Sequence, residues 1–194
     1  MLLWLIETDV FQLPQLHKHL NVVRHLQPDT MKYEEFITRF NKQVFSIEYN
    51  KQLDLAIEVC KKLYFDYVEF SEKYKWGDKD VLLDAIKILE QSKTQAIEKS
   101  LIQQALEKID RVTPDMDEFG GEELASYALN ACVAVYNSLL FLLDKLPKHI
   151  YEVGICLTDT IDFKIQEEHD LTEQEIDKNP LMIEARQYLV EKSK

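Results

Sequence analysis

From Tyr49 to Tyr74 the apolar side chains recur alternately four and three residues apart: Tyr49, Leu53, Ala56, Cys60, Leu63, Tyr67, Phe70 and Tyr74. This spacing keeps all of them on one seam of an α-helix, whereas a strand would send neighbouring members to opposite faces. Lys61, Lys62, Glu69, Glu72 and Lys73 fall off the seam, so the segment predicts one amphipathic helix of about 25 residues or more. Ser46 is the expected N-cap. The helix should stop at Trp76-Gly77-Asp78, where Gly77 can adopt the left-handed conformation and Asp78 can accept backbone N–H bonds at the start of the next helix. With only 4 Gly and 5 Pro in 194 residues, the chain lacks the turn residues that many short strands would need.

The same reading extends in both directions. A helix over about 79–92 carries Leu82, Ala85, Ile86 and Leu89 inward, and another over about 95–110 carries Ile97, Leu101, Ala105, Leu106 and Ile109 before Thr113-Pro114 ends it. The broadest stripe follows: Leu124, Ala128, Cys132, Val135, Leu139, Leu142 and Leu146 on one face, widened by Ala131, Val133, Leu140 and Leu143. Apolarity over so much of a helix requires neighbours on two sides, which makes this the expected central helix. Pro147 suits the first turn of the next helix, whose buried face is Ile150, Val153, Leu157, Ile161 and Ile165, with Gly154 permitting close approach. Thr172 to Glu175 reads as a capping box, and Asn179-Pro180 opens a last helix burying Leu181, Ala185, Tyr188 and Leu189. The expectation is an all-α fold: a compact single-domain bundle of about seven or eight helices over 31–194, preceded by an N-terminal extension over 1–30.

Charge narrows the choice of partner. The chain holds 23 Lys and Arg against 35 Asp and Glu, for a net charge of −12. Residues 1–109 contain 15 bases and 17 acids, while 110–194 contain 8 bases and 18 acids. A field of that sign repels phosphate, so neither nucleic acid nor an anionic membrane surface is an expected partner. Cys60, Cys132 and Cys156 are far apart, odd in number and each within an apolar helical pattern, which suits reduced core thiols in a cytoplasm. Met1 to Ile6 is apolar but too short to serve as a signal or a span, and Glu7 and Asp9 follow it.

Several blocks in order carry a family likeness. They are Leu63-Tyr64-Phe65-Asp66-Tyr67, Phe70, Trp76-Gly77-Asp78, Pro114-Asp115-Met116-Asp117-Glu118-Phe119, Ala128-Leu129-Asn130-Ala131-Cys132 and Asn179-Pro180. Together they resemble the YjaG-like family of bacterial proteins, domain of unknown function four-sixteen, across roughly residues 31–194. The resemblance implies a compact all-helical fold and a cytosolic bacterial protein, and it brings no activity, substrate or catalytic residue. The chain departs from the family pattern at Asn130, where Asp is common, and near Glu90, where an aromatic residue is common.

Candidate chemistry is sparse. Asp159 and Asp162, three apart on a helix, can share a face as an acid–base pair or a hard-cation site, and Asp66 is a third polar contributor. The plainer reading of the pair is a solvated face. Glu167-Glu168-His169-Asp170 and His17-x-His19 contain metal-binding residue types, but such close neighbours on a helix diverge rather than converge on one ion. Gly120-Gly121 reads as a tight turn, since Glu122 and Glu123 beside it repel an anion. The aromatic group Tyr64, Phe65, Tyr67, Phe70, Tyr74 and Trp76 reads as core more than as a ligand cleft. No metalloprotease, phosphate-loop, nucleophile-elbow or dinucleotide motif occurs.

These observations favour a non-catalytic acidic protein-binding module with no cofactor, of which an immunity- or antitoxin-type neutraliser of a basic partner is one concrete form. Its expected contact residues are Asp115, Asp117, Glu118, Glu122 and Glu123. The alternative is a small-molecule or metal-binding enzyme with a carboxylate site inside the bundle, built from Asp66, Asp159 and Asp162. A third reading is homodimerisation through the seam of the long helix.

Overall fold

The computed structural model describes residues 30–167 and 170–194, and among these residues eight helices and no strand form. They are α1 (Tyr33–Val44), α2 (Tyr49–Tyr74), α3 (Lys79–Gln91), α4 (Lys99–Val112), α5 (Glu123–Asp144), α6 (Pro147–Gln166), α7 (Glu173–Ile176) and α8 (Pro180–Lys192). The expected all-α bundle of seven or eight helices is therefore what the chain adopts. Residues 1–29, with His17 and His19, and residues 168–169 lie outside the described residues.

Helix α5 is the hub, packing on α2, α3, α4 and α6. By length and composition it passes for a membrane span, with a mean hydropathy of 1.5. Its neighbours account for that apolarity: Ala125, Ala128, Ala131, Cys132, Ala134, Val135, Leu139 and Phe141 are all buried. Small residues along this face let α2 and α6 approach closely. The seam of α2 is buried against the same core from Leu53 to Phe70. The surface invoked for homodimerisation is thus consumed by the chain's own packing.

Caps and turns set the helix ends. The N-cap of α2 is Glu48, and Ser46, expected in that place, instead donates its hydroxyl to the Lys42 carbonyl at 2.6 Å at the end of α1. At the α2–α3 turn Lys75 and Gly77 take φ of 53° and 72°. A β-carbon on Gly77 would run into the Tyr67 hydroxyl, which donates to the Val112 carbonyl at 2.7 Å and accepts the Asp78 N–H at 3.3 Å. Asp78 caps α3 as expected, accepting from the Asp80 N–H at 2.9 Å. At the α5–α6 corner Lys145 is left-handed, and buried His149 bridges Asn137 Oδ1 at 3.1 Å and Asp144 Oδ2 at 2.9 Å.

Four expected core residues stand outside instead, one of them Phe65 of the aromatic group, which lies off the α2 seam and is 71% exposed. Leu101 is 42% exposed and Leu181 52% exposed, because the buried faces of α4 and α8 begin one residue later, at Ile102 and Met182. One residue is about 100° of helix rotation, enough to exchange an inward for an outward position. Leu146 is exposed because it is the N-cap of α6 rather than the last turn of α5. The three cysteines are free and buried, and burial pushes the Cys60 and Cys132 thiols up to about 12, which leaves them protonated and inert as nucleophiles.

Gly154 of α6 lies under the ring of Phe40, which stacks on Phe36 with centroids 5.4 Å apart. Alanine there would gain up to about 1 kcal/mol of helix propensity. Its β-carbon would overlap an aromatic ring that is fully buried and has nowhere to swing, and overpacking of this kind costs about 1–3 kcal/mol. Gly154→Ala is therefore expected to lower the urea midpoint without changing the slope, and an unchanged or raised midpoint would show that α1 yields freely.

Candidate functional site

The acidic residues of the α4–α5 connection are positioned by what lies under them. Pro114 ends α4, and the Asp115 carboxylate accepts the Asp117 N–H at 2.9 Å, tightening the turn. Phe119 then folds inward onto Phe70, Tyr74 and Trp76, with ring centroids 5.2, 5.9 and 5.3 Å away. With the aromatic side anchored, Asp115, Asp117, Glu118, Glu122 and Glu123 all stand exposed. Tyr74 donates its hydroxyl to Glu122. Lys73 feels Glu122 and Glu123 electrostatically but makes no ion pair with either.

Six acids of the first half are treated differently. Asp54 pairs with Lys93, Glu58 with Lys192, Asp66 with Lys164, Glu72 with Lys79, Asp84 with Lys87 and Glu90 with Lys61. Among the described residues no Lys or Arg forms an ion pair with any of the five carboxylates between Asp115 and Glu123. Exposed pairs contribute little to stability, typically under about 1 kcal/mol. Their effect on the surface field is larger, since they cancel six charges around α2 and α3, whereas the five on the α4–α5 connection are not cancelled in this way.

The three carboxylates grouped as a candidate acid–base or metal site do not converge. Asp66 is taken by Lys164 in a cleft between α2, α6 and α8, lined also by Thr160, Ile161 and Tyr188. Asp159 and Asp162 face elsewhere, into a cavity of about 410 Å³ bounded by α1, α6, α7 and α8. Removal of water from part of its surface, then the like charges of Asp162 and Glu152, raise the Asp159 carboxyl above the ordinary Asp range, although the residue remains exposed at the rim. Asp162 Oδ2 accepts from Gln166 at 3.2 Å, while Oδ1 is buried and unpaired. Among the described residues no group of three His, Cys, Asp or Glu comes together to hold a metal ion.

Arg186 is the residue that sequence reasoning missed. Its side chain is 4% exposed, Nη1 donates to the Met31 carbonyl at 2.7 Å and to Asp177 at 2.6 Å, and the guanidinium lies over the rings of Tyr33 and Phe36. Its Nε is buried without a partner. A signal was present in the sequence: Met182, Ala185, Arg186 and Leu189 occupy one helical face, so a guanidinium sits in core register.

Comparison with known proteins adds kinship without activity. The family described as a protein of unknown function, DUF416, matches residues 39–192. Among solved structures the chain is similar to a DUF416 family protein from Shewanella baltica OS155, with a TM-score of 0.68 and 22% identity over 78% of this chain and 82% of that one. At that identity the likeness is one of fold. No curated protein matches the sequence.

The raised Asp159 carboxyl has a consequence for stability. A carboxyl that binds its proton more tightly when folded costs stability once pH passes the ordinary Asp range, and the cost is absent below it. Solvent at the rim limits the size of the effect. Asp159→Asn is expected to raise the thermal midpoint at pH 7 by about 1–2 °C, with the gain disappearing below the ordinary Asp range. A lower midpoint at pH 7 would mean that the carboxylate stabilises the fold.

Proposed function

Because the chain belongs to the DUF416 family of proteins of unknown function, kinship supplies no activity, and we propose from the surface itself that it is a non-catalytic cytoplasmic protein that docks a basic protein partner. The observation that carries this reading is the contrast in charge pairing. Six of the nine acids from Asp54 to Glu90 are neutralised by the chain's own lysines, whereas Asp115, Asp117, Glu118, Glu122 and Glu123 are exposed and none makes an ion pair with Lys or Arg among the described residues. Carboxylates that remain solvated and unpaired attract cations at a distance and speed encounter with a positively charged surface.

The aromatic cluster beneath supports the same reading. Phe119 fixes the connection on α2, so the carboxylates are presented by a held segment and lose less freedom when a partner arrives. Neutralisation of a basic toxin by an immunity-type protein is one form this docking can take, since masking a cationic site requires mainly shape and negative charge.

Capture from native lysate tests the proposal. At about 0.1 M salt the wild-type chain is expected to retain a basic protein, and at about 1 M salt, where the screening length shrinks from about 10 to about 3 Å, to release it. The variant Asp115→Asn, Asp117→Asn, Glu118→Gln should retain it at neither. Equal capture by wild type and variant, or the absence of any basic protein at low salt, would refute the reading.

A further inference from the structure

We draw no further inference here: the strongest candidate, the cleft between α2, α6 and α8 around Asp66 and Lys164, has that ion pair closed within the chain and an apolar wall of Leu63, Leu157, Ile161 and Leu181 for which nothing in the structure shows what covers it.

Discussion

The structure depends on burying the girth of α5. A 22-residue helix with apolar or small residues around most of its circumference cannot stand at a surface, and α2, α3, α4 and α6 each cover part of it. The hydrophobic effect, at roughly 25 cal/mol per Å² of apolar surface removed from water, rewards each neighbour that closes a gap. Alanines along α5 set how closely those neighbours approach. The other elements attach outward from this hub, α1 and α8 packing on α6 rather than on α5. The cavity lined by Asp159, Asp162 and Arg186 lies in that outer layer.

Charge is distributed to match this arrangement. On the layers around α2 and α3, acids and lysines lie close enough to pair, so the surface over the long helix is nearly neutral. The α4–α5 connection contributes no lysine or arginine between Asp115 and Glu123, and its acids point outward because Phe119 holds the other side of the segment against α2. Asp144 follows a third course. Burial pushes its carboxyl up, but the Leu146 N–H and His149 more than offset this and hold it below the ordinary Asp range. That carboxylate serves the α5–α6 corner and is not free for a partner.

How much of this was legible beforehand differs by residue. The seam of α2, the caps at Asp78, Glu175 and Asn179, and the proline starts of α6 and α8 were readable, since each is a local signal carried by adjacent residues. The inner faces of α4 and α8 were readable at Ala105, Leu106 and Ile109 and at Ala185 and Leu189, but not in their first turns, where Leu101 and Leu181 stand outside. In each first turn two adjacent apolar residues, Leu101 and Ile102 or Leu181 and Met182, compete for the inward position, and the choice belongs to the neighbouring helix. For the candidate site, the five acids from Asp115 to Glu123 were readable as a surface because they are close in sequence. The separation of Asp66 from Asp159 and Asp162 was not, because it depends on which side of α6 each residue faces.

The amino-acid order alone therefore determined that the chain is helical, where most helices begin and end, which helix is central and which half carries the excess negative charge. These are properties of spacing, caps and composition, and they act over a few residues. Only the tertiary structure decided which acids meet a lysine, that Arg186 is buried with Asp177 and the Met31 carbonyl, and that it lines the same cavity as Asp159 and Asp162. Pairing of charges and matching of donors to acceptors act over a few ångströms between residues as many as 155 positions apart, and no one-dimensional pattern records that proximity.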